Sequence, residues 1–138
     1  MTVHLDTDFL VYALSVAGPE RRRLLELSDL GERVEISAVA WYEFCRGPRT
    51  PEQLATARSF FADDGVVPFS EHTAAAAAET FRRLGSPRRR AGDIAIGTTA
   101  AMRDARLISR NARDFAGIPE LEVEDVVNSS GGAGPVDV

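Results

Sequence analysis

The chain contains no lysine; its sixteen basic residues are all arginine. That absence removes every mechanism built on a catalytic lysine, among them a phosphate-cradling Walker loop, a Schiff base and a serine–lysine dyad. A single cysteine, Cys45, leaves no internal disulfide framework and no cysteine-rich zinc site. It suits a reducing, intracellular compartment. Long apolar runs are missing as well. The longest, Phe9 to Gly18, falls far short of the roughly 20 residues of a membrane span. Two aspartates precede it where a secretory leader would carry basic residues. The expectation is a soluble, cytoplasmic protein with no membrane partner.

What is present is enough for one domain: 138 residues can bury a core without disulfide or metal staples. The net charge of −5 argues against sequence-independent, charge-driven binding to nucleic acid. It does not argue against an enzyme that meets phosphate through cations. Apolar runs and breakers predict strands over Val3–Leu5, Val34–Ile36, Val66–Phe69 and Arg106–Ser109, with a fifth over Leu121–Val123. Helices are predicted over Phe9–Val16, Pro19–Leu30, Ala38–Cys45, from Pro51 to about Asp63, from Ser70 to Leu84, and from Asp93 to about Asp104. Strands alternating with helices indicate crossover units and a parallel sheet covered on both faces. The domain is expected over residues 1–127. Asn128 to Val138, rich in Ser, Gly and Pro, reads as a disordered tail.

Parallel α/β sheets bind ligands beyond the carboxyl ends of their strands. Asp6 ends the first strand, Asp93 opens the sixth helix and Asp114 follows the fourth strand. Each has a plain reading as well: Asp6 and Asp93 as helix caps, Asp114 as a turn residue. Glu43 differs, being the only charge in the run Ala38-Val39-Ala40-Trp41-Tyr42-Glu43-Phe44-Cys45. An all-apolar helix is expected to be buried. A carboxylate there needs a partner, either an arginine or a metal ion. Brought together, the four would form an all-oxygen cluster whose mutual repulsion a hard divalent cation, Mg²⁺ or Mn²⁺, relieves.

Leu5-Asp6-Thr7-Asp8, Ser37 followed by Glu43, Ala91-Gly92-Asp93-Ile94, and Ser109-Arg110-Asn111-Ala112-Arg113-Asp114-Phe115 occur in an order that resembles the PIN domain. In particular it resembles the VapC-type ribonuclease toxins of bacterial toxin–antitoxin pairs, over roughly residues 3 to 126. The resemblance implies a three-layer α/β/α sandwich around a parallel sheet of four or five strands. It implies Mg²⁺- or Mn²⁺-dependent endonuclease action on RNA, a homodimer, and a cognate VapB-type antitoxin that blocks the site. Asp6, Glu43, Asp93 and Asp114 fall on the family's acidic positions, Asn111 on its usual Asn and Ser37 on its small hydroxyl. The first motif commonly reads Asp-Thr-Asn, and here its third residue is Asp8.

Arginines are the other candidates. Arg88, Arg89 and Arg90 stand just before Asp93, and Arg110 and Arg113 flank Asn111, so these five are the expected phosphate contacts. His4 and His72 read as structural. Trp41, Tyr42 and Phe44 read as core or dimer contacts. Two other functions compete. A strand ending in Asp6-Thr7-Asp8 suits an aspartyl-phosphate phosphatase of the haloacid dehalogenase type, although that chemistry usually wants a lysine. A non-catalytic module that keeps the fold and binds protein is the second.

Overall fold

Thr2–Leu5 forms β1 and runs into α1 (Thr7–Ser15); Pro19 then starts α2 (Pro19–Asp29). β2 (Arg33–Ser37) leads into α3 (Ala38–Cys45), and α4 (Pro51–Arg58) precedes a short β3 (Val66–Val67). A 3-10 turn at Arg88–Arg90 joins α5 (Glu71–Arg83) to α6 (Ala91–Met102). The chain continues through β4 (Arg106–Ser109), a second 3-10 turn (Ala112–Phe115) and β5 (Glu122–Asp125). This computed structural model describes residues 1–127, so the tail expected from Asn128 onward lies outside the described residues.

α1, α3, α4 and α5 start where the sequence supplies side-chain caps. Asp6, Ser37, Thr50 and Ser70 each accept a hydrogen bond from a backbone N–H in the first turn that follows. Thr50 and Gln53 complete a reciprocal capping box. All five strands pair in parallel, in the order β3-β2-β1-β4-β5. The sheet therefore grows from β1 to one side and then resumes on the other. The crevice beyond β1 and β4, where the direction reverses, is where such sheets place ligands. Val3, Leu5, Ile36, Leu107 and Ile108 on the three central strands are buried, and Phe9, Leu10, Leu24, Phe44 and Ile96 cover them from the helices.

Several boundaries differ from expectation for local reasons. α1 begins at Thr7 rather than Phe9, because the Asp6 carboxylate caps it directly. α4 stops at Arg58, five residues before Asp63. Its chain tightens into turns there, and the Arg58 guanidinium donates to the carbonyls of Ala62 (3.0 Å) and Asp63 (2.6 Å). β3 ends at Val67 rather than Phe69. Pro68 has no N–H to continue the ladder, and β3 is an edge strand. β5 runs two residues further than expected. α3 is not buried all round. It sends Ala40 and Phe44 into the core, while Tyr42 is 62% exposed.

Candidate active site

Asp6 leaves the end of β1 at the reversal point, and its backbone N–H still donates to Ile108 of β4 at 3.1 Å. Its carboxylate is buried and held from two sides. The Thr7 N–H donates to Oδ1 at 2.7 Å, and the Ser109 hydroxyl donates to Oδ2 at 3.0 Å. Ser109 is itself fixed, because its Oγ accepts from the Asn111 N–H at 2.9 Å. Asp6 is thus both a helix cap and an oriented acid at the sheet edge.

Glu43 reaches the same edge from α3. No arginine pairs with it among the described residues; the Thr7 hydroxyl donates to its Oε1 at 2.7 Å. A Cβ at position 92 would lie only 2.9 Å from Glu43 Oε2. Gly92 therefore lets the carboxylate come against the first turn of α6, where a helix N-terminus favours negative charge. Asp93 occupies that turn. It lies inside a helix starting at Ala91 rather than capping it. Asp114 comes from the second 3-10 turn. The guanidinium of Arg90 donates to the backbone carbonyls of Asp114 (3.2 and 3.1 Å) and Ala116 (2.5 Å).

These acids oppose one another's ionisation. Burial pushes the Asp6 carboxyl up to about 7; the hydrogen bond from Ser109 resists this, and the charges of Asp93 and Asp8 add to it. Burial likewise raises Asp93 to about 6, with contributions from Asp114, Glu43 and Asp8 and a smaller opposing one from Arg90. Asp6, Asp8, Glu43, Asp93 and Asp114 are therefore electrostatic neighbours, although they belong to four separate stretches of chain. Among the described residues, however, no three carboxylate, imidazole or thiol side chains stand close enough to hold an ion between them. The donor set is nonetheless all oxygen, which suits a hard divalent cation, and an ion would relieve the mutual repulsion that adds to the effect of burial on Asp6 and Asp93.

The remaining candidates divide by environment. Asp8 is exposed on the first turn of α1. Ser37 is buried, and its hydroxyl accepts from the Ala40 N–H at 3.0 Å as the cap of α3. Asn111 and Arg113 are exposed, as are Arg88 and Arg89. Arg110 donates to Glu20 at 2.9 Å and lies over the Tyr12 ring at 3.6 Å. His4 is fully buried, with its Nε2 2.9 Å from Glu35, and His72 is on the surface of α5. Thr7, Gly92 and Ser109 were not singled out for a role in the site from sequence. A threonine directly after Asp6, a serine at the head of the segment that carries Asp114 and a glycine before Asp93 were the available signals.

The family model of the PIN domain matches residues 3–121. The chain belongs to the PIN domain family. Solved structures share the fold of this PIN domain at low identity. VapBC2 from Rickettsia felis, solved bound to a DNA fragment from its promoter, is 22% identical, with 90% of this chain and 98% of that chain covered and a TM-score of 0.65. A toxin–antitoxin complex from Klebsiella pneumoniae is 24% identical, with 86% and 94% covered and a TM-score of 0.66. FitAcB from Neisseria gonorrhoeae is 22% identical, with 89% and 96% covered and a TM-score of 0.64. No curated protein matches the chain. Among the described residues no helix is long and apolar enough to cross a membrane.

Proposed function

We propose that this PIN domain is a metal-dependent endoribonuclease, the VapC-type toxin of a pair whose VapB-type antitoxin covers the acidic edge. One observation carries the reading. Acids from separate stretches of chain meet: Thr7, whose N–H donates to Asp6, also donates its hydroxyl to Glu43 Oε1 at 2.7 Å, and Glu43 Oε2 lies against Gly92 beside Asp93. A structural role for these carboxylates would pair them with arginines, yet Glu43 is held by a hydroxyl. The family match and the toxin–antitoxin neighbours support the same reading and leave the aspartyl-phosphate phosphatase without support.

Asp6 and Asp93 would hold Mg²⁺ or Mn²⁺, with Glu43 and Asp114 completing the set. Such an ion supplies charge neutralisation at the phosphate and a more acidic water for phosphodiester hydrolysis. The chain's own groups do the positioning. Ser109 and the Thr7 N–H fix both oxygens of Asp6, and the Thr7 hydroxyl fixes Glu43. Arg88, Arg89 and Arg113 are exposed, and in this reading they meet the phosphates of an incoming strand. A cavity of about 390 Å³ between α1, α3 and α4, walled by Leu14, Phe44 and Pro48 together with Arg49, Glu52 and Gln53, is a suitable seat for an amphipathic segment of the antitoxin. We expect the active species to be a homodimer.

The test is cleavage of single-stranded RNA and of DNA of the same sequence, with Mn²⁺, Mg²⁺ or chelator present. Metal-dependent cutting of RNA that disappears in Asp6→Asn and Asp93→Asn supports the reading. Cutting by either variant at the parent rate overturns it. Tight Mn²⁺ binding with no cleavage of any RNA would favour a non-catalytic binding module.

A further inference from the structure

We propose that Arg90 is a positioning residue, a clasp that holds the turn bearing Asp114 onto the helix bearing Asp93, rather than a phosphate contact. The inference rests on the nuclease reading above and goes beyond it by assigning one arginine a role within the site.

Asp93 and Asp114 carry like charges on separate elements, α6 and the 3-10 turn after β4. Their repulsion works against the packing of those elements. Arg90 stands immediately before α6, three residues ahead of Asp93. Its Nε and Nη2 both donate to the Asp114 carbonyl, at 3.2 and 3.1 Å, and Nη2 also donates to the Ala116 carbonyl at 2.5 Å. These carbonyls sit at the end of a short 3-10 turn, where a regular helix supplies no further donor. A guanidinium fork spans them both; the compact ammonium of a lysine would not.

The neighbouring arginines show what Arg90 is not. Arg88 and Arg89 are exposed, and among the described residues neither side chain makes a hydrogen bond or ion pair; only the Arg88 backbone carbonyl is engaged, by the Ala91 N–H. They are free to follow a phosphate backbone. Arg90 is half-buried, and the nitrogens that would fork onto a phosphate are engaged by its own chain.

Three measurements on full-length protein test the clasp, using Arg90→Lys, Arg90→Ala and Arg89→Ala. Amide hydrogen exchange over residues 112–117 is expected to speed up in both Arg90 variants without added metal, while the strands keep their protection. Unchanged exchange in this segment overturns the clasp whatever the protein's activity. Mn²⁺ affinity, by calorimetry on the metal-free protein, is expected to fall about tenfold in Arg90→Ala, with no rescue by Arg90→Lys. Full retention by the lysine variant overturns the clasp. The salt dependence of single-stranded RNA binding without added metal is expected to weaken by about 0.7 in log–log slope for Arg89→Ala. It is expected to stay at the parent value for Arg90→Ala. An equal loss of slope in Arg90→Ala returns Arg90 to the phosphate contacts. A parent that binds no Mn²⁺ while exchange still responds to Arg90 overturns the nuclease reading and leaves the clasp standing.

Discussion

The Thr7 hydroxyl donates to Glu43 Oε1 at 2.7 Å, joining the first turn of α1 to α3. Because the Thr7 N–H also donates to Asp6, one residue orients two acids of the candidate site. Thr7→Val keeps the shape and the backbone donor and removes only the hydroxyl. A hydrogen bond to a charged group contributes about 1.5 kcal/mol or more, so kcat/KM for RNA is expected to fall about tenfold or further. Thr7→Ser is expected to stay near the parent. Steady-state cleavage beside a urea melt checks this; equal activity of Thr7→Val and parent would remove Thr7 from the site.

A pH dependence follows from Asp6 and Asp93. Their folded-state values, about 7 and about 6, lie above the ordinary carboxyl value of 3.8. Between about pH 4 and pH 7 the native protein holds protons that the unfolded chain has released. The metal-free protein is therefore expected to lose stability as pH rises through this window. Mn²⁺ is expected to restore stability above pH 7, growing with concentration as ligand linkage requires. Asp6→Asn and Asp93→Asn are each expected to flatten the profile and raise the melting temperature of the metal-free protein at pH 8. Thermal melts at pH 5 and pH 8, with and without Mn²⁺, decide the matter.

Glu35 carries the opposite sign. It is fully buried on β2, and its oxygens accept from His4 of β1 (2.9 Å), Arg33 (2.8 Å) and Arg103 at the end of α6 (3.2 and 2.6 Å). Burial raises its carboxyl, but the hydrogen bonds from Arg103, Arg33 and His4 outweigh that and hold it down at about 2. Its stabilising contribution is present above the ordinary value and is lost as pH falls toward 2. Glu35→Ala would take a partner from His4 and from two arginines, of which Arg33 keeps Asp64 at 2.6 Å. Those arginines are 40% and 45% exposed at the side chain, and water recovers part of their solvation, so the expected loss is about 2 kcal/mol in a urea melt at pH 7. A loss below a few tenths would show that solvent replaces the carboxylate fully.

Sequence pattern carried the element order and all five strands, because caps and breakers such as Ser37, Thr50, Pro19 and Pro68 act within a few residues. Asp6, Asp93 and Asp114 were nameable as candidates because each stands at or just beyond the end of a predicted strand or helix, and Glu43 because it is the only charge in an apolar run. What surrounds them was not. The Thr7–Glu43 and Ser109–Asp6 bonds join residues 36 and 103 positions apart, which no local pattern encodes. The expectation that α3 is buried all round fails at Tyr42 for a related reason. An apolar run shows that a helix can be buried all round, not that the fold supplies a neighbour for every face.

The five arginines grouped by sequence as phosphate contacts now separate into classes with different expected behaviour. Arg110 is tied to the buried Glu20 and stacked on Tyr12, with its side chain 30% exposed. Arg110→Ala is expected to destabilise by about 1 kcal/mol through the lost ion pair and stacking, while leaving the salt slope of RNA binding near the parent value. Arg88 and Arg89 are exposed, so their removal costs the fold little. The double variant Arg88→Ala/Arg89→Ala is expected to bind single-stranded RNA more weakly, with a log–log salt slope reduced by about 1.4, two phosphate contacts' worth. Its rate at saturating RNA should remain that of the parent, since neither group touches the acids. Filter binding from low to moderate salt, set beside single-turnover cleavage, separates the two classes. A slope lost in Arg110→Ala and kept in the double variant would reverse the assignment.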